Sequence, residues 1–358
     1  RDLIIDVRAN RIKTSSLTQQ LDITRTNTTD DFAQNPNIKA FETGNFSTSY
    51  FMLGTAFDDA DVLFEKFLGY RADVAQRLSE ENELPINGYS NTNQEVLLPA
   101  FMAAYSGKDP NSVDTGIFKN IPIPNWTLRY NGLMKYKWFK KKFAAFSVSH
   151  GYKSSYTIGG YTNNLLYEGV DPSLPISPTN HPVRNSAGNF QSKLLISSAT
   201  LIDEFSPLIK VDFRMKNSLS FKGEIRKDRA LTLNFNNNTL TDIKGTEYVF
   251  GFGYRIRDVK FNTRFAGKKE VLKGDINLRA DVSMRDNITQ IRAIDEGNNQ
   301  ITGGEKLFSF KFIADYNLNK NLTASFYYNH QTYQYAISTT FPRQAINAGI
   351  NIIYNLTR

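Results

Sequence analysis

Cysteine is absent from this sequence, which excludes a disulfide framework and thiol chemistry. Histidine is scarce. His150, His181 and His330 lie far apart, and two of them, His150 and His330, sit among apolar and aromatic neighbours, as interface or loop histidines do. No HExxH, GxSxG or Walker loop occurs, so the sequence implies no enzyme, no metal and no cofactor. Long hydrophobic runs are also missing: none approaches the roughly 18 consecutive apolar residues of a transmembrane helix. A block of basic charge is missing too. The formal net charge is +8, but lysines and arginines are scattered, often beside acids, which argues against a nucleic-acid partner. The chain opens on Arg1 with neither an initiator methionine nor a signal peptide, and reads as part of a longer exported protein.

Aromatic residues are plentiful. Phenylalanine (26), tyrosine (18) and tryptophan (2) make up 13% of the chain, which suits a lipid face with aromatic girdles. Residues 271–285 also alternate almost without error. Leu272, Ile276, Leu278, Ala280, Val282 and Met284 share one parity, with Gly274 the only gap. Lys273, Asp275, Asn277, Arg279, Asp281, Ser283 and Arg285 share the other. Successive strand side chains point to opposite faces, so this strand has one apolar and one charged face. The expectation is lipid on the first and water on the second, as in an antiparallel transmembrane β-barrel wall. A mean hydropathy of −0.42 fits this, because a polar lumen face cancels an apolar outer one.

The same pattern recurs upstream and downstream. Phe308, Phe310, Phe312, Ala314, Tyr316 and Leu318 oppose Ser309, Lys311, Asp315 and Asn317; the lipid-facing set includes Phe308, Phe310, Phe312 and Tyr316. Leu322, Ala324, Phe326 and Tyr328 form another row, as do Ile346, Ala348, Ile350, Ile352, Tyr354 and Leu356. A tight turn is expected at Asn319–Asn321, with longer polar links at 287–304 and 331–343. Tyr248, Phe250, Phe252, Tyr254 and Ile256 oppose a face with Gly251 and Gly253, which leave room or mark a bend. Residues 219–235 hold one parity except where Lys227 and Arg229 interrupt it, and so long a strand projects beyond a bilayer. Ile209, Val211, Phe213 and Met215 precede a turn at Lys216-Asn217, and Phe146, Val148, His150, Tyr152, Tyr156 and Ile158 form an earlier aromatic face. A β-sandwich alternates too, but its strands usually run about 5–6 residues, much shorter than these.

One section departs from period 2. Leu63, Phe67, Tyr70, Val74 and Leu78 follow helical spacing, and Gln94–Ser106 reads as a second helix, in a stretch punctuated by five prolines. The expected organisation is barrel strands over 1–57, an extramembrane insert with two helices over 58–124, and barrel strands over 125–358. Residues 2–25 are one long strand or a hairpin turning near Lys13–Ser15. Asp58, Asp59 and Asp61 are helix-capping acids in preference to a cation site. Lys137, Trp138, Lys140, Lys141 and Lys142 form an interfacial turn, with snorkelling lysines or headgroup contacts. The charged row at 273–285 lines a wetted path, pairs across neighbouring strands, or does both.

Several segments resemble a known family: Ile121-Pro122-Ile123-Pro124-Asn125-Trp126 with Tyr130-Asn131-Gly132-Leu133, Ser149 through Tyr156, Phe205-Ser206-Pro207-Leu208-Ile209, and Glu247-Tyr248-Val249 with Gly253-Tyr254-Arg255. In this order they are similar to the carboxy-terminal part of the SprA/Sov proteins of Bacteroidetes. The resemblance implies a very large outer-membrane barrel with a lateral opening. It also implies a translocon of the type 9 secretion system, exporting folded proteins and supporting gliding motility. Implied partners are outer-membrane lipid, the rest of an SprA-like chain, a PorV-like barrel, a plug protein and folded cargo. Leu356-Thr357-Arg358 departs from the terminal aromatic common in bacterial barrels. The competing expectations are a plugged, energised nutrient-transporter barrel and a structural outer-membrane barrel.

Overall fold

The structure is a computed structural model that describes residues 2–18, 24–25, 32–33, 40–167, 182–265, 268–295, 299–317, 322–337 and 339–354. Most of them form one antiparallel sheet of twelve strands. Its first half uses β1 (Leu3–Arg8), β2 (Arg11–Thr18), β5 (Phe41–Ser49), β6 (Asn125–Tyr130), β7 (Phe143–Asn163) and β8 (Leu194–Met215). Its second half is β9 (Leu219–Asn234), β10 (Thr239–Phe265), β11 (Lys268–Ala293), β12 (Asn299–Asn317), β13 (Leu322–Tyr335) and β14 (Arg343–Tyr354). A separate two-stranded pair joins β3 (Thr24–Arg25) to β4 (Phe32–Ala33).

From β7 onward every strand pairs with the next in sequence, and from β8 onward short connections join the alternating rows. At 216–218 Asn217 Oδ1 accepts from the Leu219 amide, and Ser218 takes a left-handed φ of 71°. Asn234 Oδ1 accepts from Asn236 in the same way, and Asn238 supplies the positive φ of the β9–β10 connection. Gly274, the gap in the apolar row of β11, is explained by packing: a Cβ there would run into the backbone carbonyl of Asn317.

The amino-terminal strands hold an interrupted pair. β5 pairs with the Ser155–Thr162 part of β7, and β6 pairs with the Val148–Tyr152 part. β2 lies on β5 and β1 on β6. Thus β1 and β2 are one rising line broken at Ala9–Asn10, and β5 and β6 one falling line from which residues 50–124 emerge. The hairpin at Lys13–Ser15 is not formed, because β2 runs through those residues against β5. Trp126–Tyr130 is the lower continuation of that falling line.

Three other expectations change. The polar link at 287–304 is mostly strand: β11 continues to Ala293 and β12 begins at Asn299. Its apolar row is broken at Asp286, Gln290 and Arg292, and Arg292 is buried against the insert. Similarly, β13 continues to Tyr335, which leaves 336–342 as the link. The lysine-rich turn is a six-residue helix, α3 (Lys137–Lys142). His181, Leu318, Asn319–Asn321, Leu356 and the terminal Thr357-Arg358 lie outside the described residues, and so does the Leu272 side chain.

The insert carries helices α1 (Ala60–Asn82) and α2 (Gln94–Ser106). Asp59 caps α1, its carboxylate accepting from the amides of Asp61 (2.8 Å) and Val62 (3.3 Å). Asn93 caps α2, and Gly107, at φ 71°, ends it. The α1 stripe Leu63, Phe67, Val74 and Leu78 is buried, joined by Phe64. These helices pack onto one face of one end of the sheet, against Tyr156 and Ile158 of β7, Leu201 of β8, Leu231 and Leu233 of β9 and Leu240 of β10. Each such side chain contributes about 1.5–3 kcal/mol by leaving water. No helix among the described residues is long and apolar enough to cross a membrane.

Candidate functional site

Cross-strand register assigns every side chain to a face. Directly opposed residues share a face, so the apolar row of β11 extends through its neighbours. One rung runs Ile225–Tyr248–Met284–Phe308–Thr332 across β9 to β13. Four residues along each strand, the middle rung runs Phe213–Phe221–Phe252–Ala280–Phe312–Tyr328–Ala348 across β8 to β14. The lowest runs Ile256–Ile276–Tyr316–Ala324–Ile352. Ile276, Leu278, Ala280, Val282, Met284, Phe308, Phe310, Phe312 and Tyr316 therefore belong to one surface. It is bare: Phe252 is 50% exposed, Met284 56% and Ile352 73%.

This band is nine residues long on β10, β11 and β12, within the about 9–11 that a tilted strand needs to cross a bilayer. Over β8 to β14 its footprint is on the order of 900 Å², from about 3.4 Å per residue and 4.8 Å per strand. The largest apolar patch on a soluble monomer is typically about 300–600 Å².

The band stops abruptly. The next rung is Lys227–Thr246–Asp286–Lys306–Gln334, polar on all five strands, with Lys306 and Asp286 paired at 3.4 Å. Beyond it the same face carries the insert, and the charges that break the row are held there. Lys227 Nζ lies 4.4 Å from the centre of the Phe57 ring. Arg229 donates through Nε to Asp203 Oδ1 (2.9 Å) and through Nη1 to the Thr55 carbonyl (3.0 Å). Arg292, fully buried, pairs with Asp61 of α1 at 2.6 Å and lies over Phe64. Burial pushes the Asp203 and Asp242 carboxyls on this covered end, and Glu95 in α2, above the usual carboxylate range. The boundary on β8 is a bulge at Ser206–Leu208, between buried Phe205 and exposed Ile209. His150 Nδ1 lies 2.6 Å from the Leu208 carbonyl and supports that bulge.

The opposite face is charged and cross-linked. Lys222, Glu224, Arg226, Glu247, Arg285 and Asp228 form a chain of ion pairs across β9, β10 and β11, with separations of 2.6–3.9 Å. Arg279 pairs with Asp315 (2.8 Å), Arg255 with Asp275, and Lys273 with Asp258 (3.0 Å). Asn277 and Ser283 complete the row. Gly251 and Gly253 make room for neighbours: a Cβ would meet Asp281 Oδ1 at the first and Ser220 Oγ at the second. Beside them lies a cleft of about 780 Å³, floored by Ala145, Ser147, Ser220 and the two glycines.

At the end away from the insert, α3 joins an aromatic chain. Trp138, Phe139, Phe143, Phe146, Phe213, Phe221 and Phe252 follow one another at ring separations of 4.9–6.0 Å. Lys137, Lys140, Lys141 and Lys142 stand exposed at its edge.

Interruptions at Lys227 and Arg229 were the sequence's only signal for the insert-binding charges. Their partners Asp203 and Thr55 gave none, and Asp61 was legible only as an acid at the start of α1. The chain matches no protein-family model, and no curated protein matches it.

Proposed function

We propose that this sheet is an arc of a transmembrane β-barrel wall in a bacterial outer membrane. The observation that carries the reading is the bare nine-residue apolar band, repeated rung by rung and closed off by a polar rung and a helical cover. Lipid covers the band, and the insert takes over where the strands leave the bilayer. The short turn at 216–218 lies on the periplasmic side and the insert outside, following the usual asymmetry of barrels. Among the described residues β14 pairs only with β13, and β1 and β2 only with β6 and β5. Two such edges invite further strands, which suits an arc of a wide barrel.

The wall's function is protein conduction: a translocon that exports folded proteins in the manner of the type 9 secretion system and supports gliding motility. The resemblance to SprA/Sov proteins supports this step, together with a salt-bridged polar face that water would wet. The partners it brings are a PorV-like barrel, a plug protein and folded cargo. Deletion of the gene is expected to strand folded cargo in the periplasm while other outer-membrane barrels assemble normally. Normal cargo export in the deletion strain would refute the translocon reading and leave the wall intact as a proposal.

A further inference from the structure

The lysine-rich helix α3 has a geometry that its helical propensity does not explain. At about 100° per residue, Lys137, Lys140 and Lys141 fall on one arc, and Phe139 falls opposite. Phe139 is anchored among Phe143 and Phe146 at 5.6 and 5.0 Å, so the arc of lysines faces away from the sheet. Lys142 sits one turn after Trp138, its ammonium 4.8 Å from the indole ring centre.

The helix dipole favours cations at the last turn, which accounts for Lys140 to Lys142. It disfavours Lys137 in the first turn. Acidic partners are missing as well. Of the 35 acidic residues in the chain, none falls between Asp114 and Glu168. The adjoining β8–β9 turn adds Lys216, whose amide donates to the Lys142 carbonyl. Of the acids nearby, Asp2 is engaged by Lys135 and Asp212 by Lys210. Among the described residues no carboxylate pairs with Lys137, Lys140, Lys141 or Lys142.

We propose that α3 is a docking surface for anionic phospholipid headgroups in the periplasmic leaflet. The inference rests on the bilayer reading above. Two observations point to lipid as the occupant. The lysines stand where β7 begins and β8 ends, beside the turn at 216–218 and at the end of the sheet away from the insert, so they lie at headgroup depth. Their charge is unopposed, and a lipid phosphate complements it. Trp138 and Phe139 fix the helix at the interface, and the lysines gather acidic lipid around it.

Trp138 provides the readout. The chain has two tryptophans, so Trp126→Phe leaves Trp138 as the only reporter. The chain is reconstituted into mixed phosphatidylcholine–phosphatidylglycerol vesicles in which one lipid or the other is brominated. Brominated phosphatidylglycerol is expected to quench Trp138 with about fivefold preference or more, the equivalent of ~1 kcal/mol from a single lysine near the surface. The preference should vanish in K137Q/K140Q/K141Q/K142Q and survive in the corresponding arginine variant. Equal quenching by both lipids in the wild type would overturn the inference while the wall stands. Quenching of Trp138 by neither lipid, in vesicles that hold the chain, would overturn both. Poly-glutamate binding as tightly as phosphatidylglycerol, and lost in the same glutamine variant, would reassign the patch to an acidic protein and overturn the lipid assignment.

Discussion

Leu278→Arg isolates the claim that the band faces lipid. Leu278 opposes Tyr254 and Ala314, one rung from the middle rung of Phe252, Ala280 and Phe312. That rung is two residues away, about 7 Å along the strand and ~5 Å along the bilayer normal after tilt. An arginine on the lipid face costs roughly 2–4 kcal/mol at the midplane and ~0–1 near the interfaces. At this depth about 2–3 kcal/mol is expected, a roughly 30- to 150-fold fall in the folded-to-unfolded ratio. Asn277→Arg, one residue away, turns to the other face between Arg255 and Asp315, one neighbour of each sign. It should cost within about 0.5 kcal/mol. Denaturant titration of the whole barrel assembled in outer-membrane fractions, followed by heat-modifiable gel mobility, reads both. Equal losses from the two substitutions would refute the facing assignment, and so would a silent Leu278→Arg.

The covered end gives two further predictions, and the far end of β11 gives a third. Asp203→Ala leaves the Arg229 guanidinium buried without its carboxylate and should destabilise docking of the insert by about 3–5 kcal/mol, while Asp203→Leu with Arg229→Met should be close to neutral. Proteolysis of α1 in the native state measures both. Docking should also be firmer near pH 4 than at pH 7. The Glu95 and Asp242 carboxyls are raised by burial, so the folded state holds their protons more tightly; the stability is fully present below the ordinary value of about 4 and is lost as pH rises through the raised one. Asp59, held low by the amides it caps, opposes this only in stronger acid. Hydrogen exchange in α1 and α2, corrected for intrinsic rate, should slow on acidification, and faster exchange would contradict the assignment. Finally, Gly274→Ala forces a methyl against the Asn317 carbonyl and should cost about 1–3 kcal/mol by the same denaturant titration, whereas Ser283→Ala should not.

Much of the sheet was legible because a strand with one apolar face repeats itself every two residues. The rows at 248–256, 276–284 and 346–354 fall on their strands with the expected parity. Both helices fall where the 3.6-residue spacing put them, and Asp59 caps as an acid before a helix should. Strand ends were misread wherever a strand left the band. Between 287 and 293 the side chains turn polar, yet the backbone ladder continues, because the chain has passed from the apolar band to the insert and solvent. The interrupted line of β5 and β6 was illegible for a different reason: two segments separated by 75 residues share one neighbour, and no local pattern encodes that adjacency. The contacts of Arg229 with the Thr55 carbonyl and of Arg292 with Asp61 join distant segments and were hidden for the same reason.

Spin-label accessibility tests the central claim most directly, and the cysteine-free chain lends itself to single-cysteine scanning. Labels are placed along 276–286 and 228–234 of the bilayer-reconstituted chain, and collisions with oxygen and with a water-soluble nickel complex are measured. Oxygen contact is predicted at 276, 278, 280, 282 and 284, and nickel contact at the odd positions between them. At 286, where the polar rung begins, the apolar-face signal should change to nickel. On β9, positions 231 and 233 should meet neither reagent, because the insert covers them. Nickel contact throughout 276–284, without a two-residue period, would contradict a lipid-facing band.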